Sequence, residues 1–450
     1  MSDSTTVVPK HAKQSVLIVG GGYVGLYVAW GLEKAKTATP LEITLVEPTG
    51  YMTYQPLLPE VAGGHVDPRN VTVPLQQVLP QTDVIQGSVT AIDSAAREAV
   101  VETVAGETRT LHYDHVVIGL GAVTRTFPTP GLRESGIGFK TVEEAVYART
   151  QVLESVALAA ETTDPAVRAK ALTFLFIGGG YTGVEALAEL SDLSKRAVDT
   201  YPNLSRGQLR WVLVEMLDRV APEVGPKLAR WTLGELRRRG IEVKFKTTLK
   251  SCIDGNVVLS DGSEFAAGTI VWTAGVKPNP VLESTDIPRG PKGHVVVNNF
   301  FQVVADDGTV NGSAWAAGDN AQVVDLTADK QPAFYPPNAQ NALRQAKMLA
   351  RNIVASIEGR PLEEYRHKSI GTVASYGVGR GAANIKNIQA KGYVAWLMHR
   401  GYHALAMPTF SRKWLIIVGW LSNPLSRPSL SALVSIRHPR EAFQKSTPPA

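Results

Sequence analysis

The chain has little sulfur chemistry available, because Cys252 is the only cysteine among 450 residues. One thiol can form neither an intramolecular disulfide nor a CxxC redox pair. Long apolar runs are also missing: the longest strongly apolar run is 414–421, well short of the roughly 18 residues that a spanning helix needs. The polar segment 1–14 lacks the apolar core of a signal peptide. We therefore expect a protein that neither crosses a membrane nor depends on disulfides.

Acidic residues are scarce at the C-terminal end. From 379 onward there are ten lysines and arginines against one acid, Glu441. The whole chain carries only +5, so the remainder is net negative and the basic character belongs to this tail. Such a concentration of charge predicts contact with an anionic partner. No recognition motif for nucleic acid accompanies it, so we expect no nucleic-acid partner.

A first glycine-rich turn follows a short apolar run. Residues 15–19 read SVLIV, as expected for a strand buried in a parallel sheet. Gly20, Gly22 and Gly25 then form GxGxxG, and a helical sequence follows. Glu47 ends the next strand at about the distance expected for an acid that binds a ribose. Strand, glycines, helix, strand and acid together predict a dinucleotide-binding unit.

The same pattern occurs a second time. Residues 171–177 read ALTFLFI, Gly178, Gly180 and Gly183 form the second GxGxxG, and the strand LRWVLVE ends in Glu215. An acid at that position favours NADH over NADPH, because it bonds the ribose 2′-hydroxyl and repels a 2′-phosphate. Arg219 lies close enough to weaken that preference. Two intact units in one chain indicate two dinucleotides, such as a flavin and a nicotinamide.

Three later segments support the two-cofactor interpretation. Residues 114–122 (DHVVIGLGA) and 269–276 (TIVWTAGV) are strands ending in small residues, and 314–321 (AWAAGDNA) contains Gly318-Asp319. The order of these motifs resembles the pyridine nucleotide–disulfide reductase superfamily. That resemblance implies FAD in the first unit, NAD(P)H in the second, and Asp319 at the flavin.

Further motifs resemble one branch of that superfamily, the type II NADH dehydrogenases. Tyr54-Gln55-Pro56-Leu57-Leu58-Pro59 resembles the family's aromatic-x-PLLP segment, and 339–345 (AQNALRQ) resembles its AQxxxQQ quinone motif. The stretch 392–414 resembles its membrane-docking helices. The chain departs from the family pattern at Arg344, at Tyr181 and at Ile370, where a glutamine, a proline and a lysine are common.

The resemblance and the fingerprints together predict the site residues. For FAD they are Gly20, Gly22, Tyr23, Val24, Gly25, Glu47, Gly121, Asp319 and Gln340. For NADH they are Gly178, Gly180, Tyr181, Thr182, Gly183, Glu185, Glu215, Ala274 and Gly275. For the quinone they are Gln340, Arg344 and Gln345, with Glu185 and Gln340 as the catalytic residues. No metal is expected.

Two sets of side chains leave alternatives open. Glu185 begins a helix and either contacts the nicotinamide and assists proton movement or complements the helix dipole. His399 and His403 stand at i, i+4; a metal pair is conceivable, but no third ligand is near in sequence, and we expect a place at the membrane surface. Apolar and aromatic residues among the basic ones of the tail are typical of an interfacial helix. A dimer interface is the alternative.

The predicted fold class is α/β, with two Rossmann-like dinucleotide-binding domains and a C-terminal amphipathic membrane-docking segment. The expected FAD domain is 10–135 with 285–385, the NADH domain 136–284 and the membrane segment 386–450. The predicted activity is FAD-dependent transfer of electrons from NADH to a membrane quinone, menaquinone or ubiquinone, without proton pumping.

The predicted location is the cytoplasmic face of the cell membrane, as a peripheral homodimer. Two other functions stay open: a soluble FAD-dependent NAD(P)H oxidoreductase with another acceptor, and a non-enzymatic redox-sensing protein that binds both cofactors. If deletion of 386–450 releases the protein from membranes, the membrane quinone reductase is favoured over these two alternatives.

Overall fold

A computed structural model describes residues 13–386, 388–426 and 429–432. The N-terminal segment 1–12 and four of the basic tail residues, Arg427, Arg437, Arg440 and Lys445, lie outside the described residues, as does Glu441.

The strands, in chain order, are β1 (Gln14–Val19), β2 (Leu41–Glu47), β3 (Tyr51–Thr53), β4 (Thr72–Pro74), β5 (Thr82–Asp93), β6 (Glu98–Thr103), β7 (Thr108–His112), β8 (His115–Ile118), β9 (Ala122–Thr124), β10 (Gly136–Ile137), β11 (Thr173–Ile177), β12 (Arg210–Glu215), β13 (Ile241–Phe245), β14 (Leu249–Ser251), β15 (Asn256–Leu259), β16 (Glu264–Ala266), β17 (Thr269–Trp272), β18 (Val276–Pro278), β19 (Val295–Val296), β20 (Gln302–Val304), β21 (Val310–Ala316), β22 (Ala321–Gln322), β23 (Gly371–Ser375), β24 (Gly381–Ile385) and β25 (Ile388–Lys391). The α-helices are α1 (Tyr23–Glu33), α2 (Leu58–Gly63), α3 (Leu75–Val78), α4 (Leu132–Ser135), α5 (Val142–Glu161), α6 (Pro165–Ala171), α7 (Tyr181–Val198), α8 (Pro226–Arg238), α9 (Ala339–Ile357), α10 (Tyr393–Ala406) and α11 (Phe410–Ser426).

The chain divides into two compact units. Among the described residues, unit 1 is formed by 13–53, 72–123 and 276–369, and unit 2 by 54–71, 124–275, 370–386, 388–426 and 429–432. Each unit contains one of the two glycine-rich turns together with the strand on either side of it.

Unit 1 is built on an eight-stranded sheet in the order β20-β21-β8-β1-β2-β5-β6-β7. Its central strands β21, β8, β1, β2 and β5 run parallel. The apolar run SVLIV forms the middle of this sheet, and Ile18 is fully buried. Helix α1 packs closely on α9, since a Cβ at Gly31 would lie 2.5 Å from the Cβ of Ala350. This arrangement is the parallel β–α–β unit that the first fingerprint predicts.

Unit 2 contains a five-stranded parallel sheet in the order β10-β17-β11-β12-β13. Its core includes Leu175 and Val212, both fully buried, and the rings of Phe174 and Trp211 stack at 4.4 Å. A capping box at Thr141 and Glu144 fixes the start of the long helix α5. The α/β class predicted from the sequence is confirmed in both units.

The C-terminal part of the described chain belongs to unit 2. Strands β23, β24 and β25 form an antiparallel sheet, on which helix α10 packs. Helix α11 follows and contacts the segment 68–71. Ala395 and Trp396 of α10 and Ile416 and Trp420 of α11 are buried, so each helix has one face within unit 2.

Candidate active site

The first glycine-rich turn lies at the carboxyl end of β1 in unit 1. Gly20 has a φ of +96°, and a Cβ at Gly25 would lie 1.9 Å from the carbonyl oxygen of Gly20, so both positions require glycine. A Cβ at Gly22, by contrast, would meet nothing within 4 Å. Because Tyr23 begins α1 and Gly22 caps it without a side chain, the turn presents the N-terminus of a helix beside open space. This is the geometry that holds a pyrophosphate.

Glu47 holds this turn from the end of β2. Its Oε2 accepts the Gly21 N–H at 2.7 Å, and its Oε1 accepts the Thr49 N–H at 3.2 Å and hydroxyl at 2.8 Å. The carboxylate is therefore fixed at the edge of the turn, where a ribose hydroxyl could add a further hydrogen bond. Charge-assisted bonds of this type orient a side chain firmly.

The Gly318-Asp319 turn of unit 1 is tied to two neighbouring segments. Asn320, fully buried, accepts the Gly121 N–H at 2.9 Å and donates to the Ile118 carbonyl at 3.0 Å. Gln345 accepts the Gly318 N–H at 2.8 Å. The structure therefore brings the predicted residues Gly121 and Asp319 to one end of the sheet. Asn320 was missed from the sequence, although it follows directly after the GD pair.

The three residues predicted for the quinone lie on α9. Helix α9 is capped by Asn338, whose side chain accepts the Asn341 N–H at 2.7 Å. Arg344 donates to Oε1 of Gln340 at 3.1 Å, rather than to an acid. Gln345 is buried and faces Gly318. A pocket adjoins this end of α9, lined by residues that include His294, Asp319, Tyr335, Asn341 and Gln345.

The second turn, in unit 2, repeats the geometry of the first. Gly178 has a φ of +108°, and a Cβ at Gly183 would lie 2.0 Å from the Gly178 carbonyl oxygen. Glu215, buried at the end of β12, accepts the Gly179 N–H at 2.6 Å and the Leu217 N–H at 2.7 Å. A Cβ at Gly275 would meet nothing within 4 Å. The remaining residues predicted for NADH also lie in unit 2: Gly180, Tyr181, Thr182, Glu185 and Ala274.

Glu185 occupies an apolar and acidic environment in unit 2. Its carboxylate accepts the Ser375 N–H at 2.7 Å, and its Oε1 lies 3.6 Å from Nε2 of His399. Burial raises the pKa of Glu185 to about 8; the Ser375 hydrogen bond opposes this rise, and the charges of Glu189 and Glu60 add to it. The helix dipole would lower this pKa, so burial is the larger effect and Glu185 holds a proton at neutral pH.

His399 and His403 are not at a membrane surface, and that expectation was wrong. The two side chains are 2% and 6% exposed on the buried face of α10. Nδ1 of His403 and the Tyr54 hydroxyl are 2.9 Å apart. The i, i+4 spacing places the pair on one face, as expected, but Tyr54 and Glu185 contact that face. Within the described parts of the chain, no three His, Cys, Asp or Glu side chains cluster in a way that suits a metal ion.

The open cradles at Gly22 and Gly275 and the two anchored acids fit the dinucleotides that the fingerprints predict. In unit 1 the structure brings together the first turn and Glu47 through the Gly21 hydrogen bond. In unit 2 it brings together the second turn and Glu215, while Glu185 joins a separate group with Ser375 and His399.

Comparison with known proteins places these motifs in a family. The chain is 28% identical over 424 residues to a demethylphylloquinone reductase of Synechocystis sp., covering 92% of this chain and 97% of that protein. It is 27% identical over 433 residues to a type II NADH:quinone oxidoreductase of Mycobacterium tuberculosis, covering 92% and 89%. The fold matches the NDH2 of Plasmodium falciparum, solved in complex with NADH, with a TM-score of 0.83, 16% identity and coverage of 93% and 99%.

The broader match agrees with the order of motifs in the sequence. Residues 14–346 match the pyridine nucleotide-disulphide oxidoreductase family, a segment that contains both glycine-rich turns, Glu47, Glu215 and the Gly318-Asp319 turn. The predicted superfamily is confirmed, and the chain belongs to the pyridine nucleotide-disulphide oxidoreductase family.

Proposed function

We propose that this chain is a type II NADH:quinone oxidoreductase that uses FAD to pass electrons from NADH to a membrane quinone. The observation that carries this proposal is the presence of two separately built glycine-rich turns in one chain, each closed by an acid that accepts a backbone N–H. One site for a flavin and one for a nicotinamide suffice for hydride transfer. The two relatives named above, both quinone reductases that the chain matches over almost their whole length, support the choice of acceptor.

FAD, when bound in unit 1, supplies the redox chemistry that no side chain can provide. Gly20, Gly22 and Gly25 with the start of α1 hold its pyrophosphate, and Glu47 holds its ribose. Asp319 and Gly121 bind near the flavin end, where Asn320 fixes the two segments to each other. Tyr23, Val24 and Gln340 complete the proposed contacts.

NADH binds in unit 2 under this proposal. The second turn and the start of α7 hold its pyrophosphate through Gly178, Gly180 and Gly183, with Tyr181 and Thr182 at the helix start. Glu215 accepts the ribose 2′-hydroxyl, which favours NADH over NADPH. Ala274 and Gly275 leave space for the nicotinamide, and Glu185 contacts it.

The quinone site is proposed at Gln340, Arg344 and Gln345. Arg344 and the side-chain amide of Gln340 already pair with each other, so they would present a donor group to a quinone carbonyl together. Arg344 stands where the resembled family usually has glutamine. Its guanidinium would add a positive charge that stabilises the negative charge developing on a quinone oxygen during reduction.

The membrane-docking surface is proposed on the exposed faces of α10 and α11. We define it by nine exposed apolar side chains: Tyr393, Val394, Leu397, Leu405, Phe410, Trp414, Leu415, Val418 and Leu421. Arg412 and Lys413 flank it. Such a surface suits the interface of an anionic membrane. Among the described helices, none combines the length and apolarity needed to span a bilayer. The cytoplasmic face and a homodimer complete the proposal.

The activity is tested by steady-state oxidation of NADH by purified, FAD-loaded protein with menaquinone and ubiquinone analogues. We expect quinone-dependent turnover with NADH and much slower turnover with NADPH. Rapid bleaching of the flavin by NADH without quinone turnover would point to a reductase with another acceptor. Slow bleaching despite tight binding of both cofactors would point to a redox sensor.

The membrane surface is tested by sedimentation with vesicles containing anionic lipid. Trp414→Glu with Leu421→Glu should reduce binding by about tenfold or more, because both side chains would carry charge into the apolar layer. Val104→Glu is the matched control, since Val104 is 69% exposed but lies in unit 1. If the double variant keeps vesicle binding and instead becomes monomeric, the surface is a dimer interface.

A further inference from the structure

A line of buried polar side chains leads from Glu185 into unit 2. Oε1 of Glu185 lies 3.6 Å from Nε2 of His399. The rings of His399 and His403 have centroids 4.3 Å apart in an edge-on arrangement. Nδ1 of His403 and the hydroxyl of Tyr54 are 2.9 Å apart. These four residues come from α7, α10 and the segment before α2, and all are less than 10% exposed.

We propose that Tyr54, His403, His399 and Glu185 form a proton relay that supplies the proton consumed when the quinone is reduced. This inference rests on the proposed function. The net reaction, NADH + H⁺ + quinone → NAD⁺ + quinol, takes up one proton per turnover beyond the hydride. Cofactor and dinucleotide binding give no role to the histidine pair or to Tyr54, so their burial as polar groups requires another reason.

The contacts define an order for the shift of protons: a hydrogen bond joins Tyr54 and His403, a ring contact joins the two histidines, and 3.6 Å separates His399 from Glu185. With both imidazoles carrying hydrogen on Nε2, the Tyr54 hydroxyl donates to Nδ1 of His403. After Glu185 has given its proton to the reduction of the quinone, His399 passes its Nε2 proton to the Glu185 carboxylate, and His403 passes its own Nε2 proton to Nδ1 of His399. Nδ1 of His399 is buried and has no hydrogen-bond partner among the described residues. The two imidazoles are therefore in ring contact without a hydrogen bond, and a rotation of one ring must complete this link. Once Tyr54 regains a proton from water, each group returns to its starting charge.

The ionisation of the four groups suits a relay at neutral pH. Burial lowers the pKa of His403 to about 3 and that of His399 well below its usual value, and the positive charge of Arg400 also acts to lower the pKa of His399. Both imidazoles are therefore neutral, with one donor and one acceptor each. The raised pKa of Glu185, about 8, lets it hold a proton and release it near physiological pH.

The surrounding charges act mainly on the Glu185 end. Besides His399, the ionisable groups around the relay are Glu60 on α2, Tyr181, Glu189 and Arg196 on α7, Glu223 in the loop after β12, Tyr376 after β23, Arg400 on α10, and His65 between α2 and β4. Glu189, Glu60 and Glu223 all raise the pKa of Glu185. Glu185 is 8% exposed, the most open of the four, so we assign it the delivering end.

The kinetic test separates the two half-reactions by stopped flow. NADH first bleaches the flavin of the FAD-loaded protein, and the reduced protein is then mixed with a quinone analogue. Tyr54→Phe and His403→Asn should slow the second half-reaction about tenfold or more, with a larger solvent deuterium isotope effect and a shifted pH profile. The first half-reaction should stay within about twofold. Tyr376→Phe is the matched control, because it removes a buried hydroxyl that pairs with Thr232 at 3.1 Å.

A second readout needs no turnover. The infrared carbonyl band of a protonated carboxyl should be present near pH 7 in the resting protein and absent in Glu185→Gln. His399→Asn should shift the pH midpoint of that band, whereas Tyr376→Phe should not. Unchanged quinone half-reactions in Tyr54→Phe and His403→Asn would overturn the relay. If the wild type reduces no quinone at all, the proposed function fails. In that case the infrared measurement still tests the relay, because an unchanged pH midpoint in His399→Asn would show that His399 is not coupled to Glu185.

Discussion

Glu215 gives the sharpest test of how this chain selects its nicotinamide. The carboxylate accepts the Gly179 N–H at 2.6 Å and the Leu217 N–H at 2.7 Å and is 8% exposed. Glu215→Gln keeps the shape and one acceptor oxygen but removes the negative charge. One backbone N–H must then face an amide nitrogen instead of an oxygen.

This substitution should reduce the discrimination between NADH and NADPH through two effects. A hydrogen bond to a charged group contributes about 1.5–3 kcal/mol, and part of that is lost for the ribose 2′-hydroxyl. Repulsion of a 2′-phosphate by the carboxylate is lost as well. Since each 1.4 kcal/mol is a factor of ten, the ratio of kcat/KM for NADH over NADPH should fall by about 10–100-fold.

The assay compares kcat/KM for the two nucleotides in Glu215→Gln and in Glu47→Gln. Glu47 is the matched acid of unit 1, which accepts the Gly21 N–H at 2.7 Å. Its substitution should weaken retention of FAD and leave the nucleotide ratio unchanged. An unchanged ratio in Glu215→Gln, with normal flavin content, would refute the assignment of Glu215 to the ribose.

Three further outcomes follow from buried contacts. The pKa of Glu185 is raised from 4.5 to about 8. The stability that its protonated form contributes is therefore complete below pH 4.5 and is lost as the pH rises toward 8. In urea melts, the free energy of unfolding of the wild type relative to Glu185→Gln should fall by about 1.4 kcal/mol per pH unit across that window. Trp420→Phe removes the 2.5 Å hydrogen bond to the buried Glu60 and should lower the free energy of unfolding by about 1–3 kcal/mol, whereas a change below 0.5 kcal/mol would contradict it. Gly31→Leu should lower the free energy of unfolding by about 1–3 kcal/mol, because the added side chain overpacks the contact with Ala350. Adding Ala350→Gly to that variant should restore part of the lost stability, whereas Ala350→Gly by itself should not raise stability.

The turns were predictable because their determinants are local. A φ of +96° at Gly20 and the 1.9 Å approach to Gly25 require glycine within six consecutive residues. The acid at the end of the next strand follows from parallel pairing, since β1 and β2 are neighbours in register. Glu47 and Glu215 therefore lie beside their turns, because each ends the strand that pairs with the strand before its turn.

The environment of Glu185 could not be predicted in the same way. Its hydrogen-bond donor Ser375 lies 190 positions away, and His399 comes from a third segment. Neither carries a motif that points to Glu185. The choice between a solvated helix-start acid and a buried, protonated one depends on which segments cover α7, and no short pattern encodes that.

The histidine pair shows why periodicity alone was insufficient. Spacing at i, i+4 establishes that His399 and His403 share a face of α10, but both faces of that helix carry aromatic and apolar residues. Trp396 is 8% exposed, whereas Leu397, its neighbour, is 48% exposed. The contacts that bury the histidine face, to Tyr54 and Glu185, are long-range. The sequence could therefore identify an amphipathic helix without identifying its buried side.

The two faces of the C-terminal helices also decide how membrane binding must be tested. Deletion of 386–450 would remove the exposed apolar side chains, but it would also remove β25, the buried Trp396 and Trp420, and the His403 that pairs with Tyr54. Loss of membrane binding after such a deletion would therefore be indistinguishable from unfolding of unit 2. Substitutions confined to exposed positions, such as Trp414 and Leu421, leave those buried contacts in place, so only they can separate docking from folding.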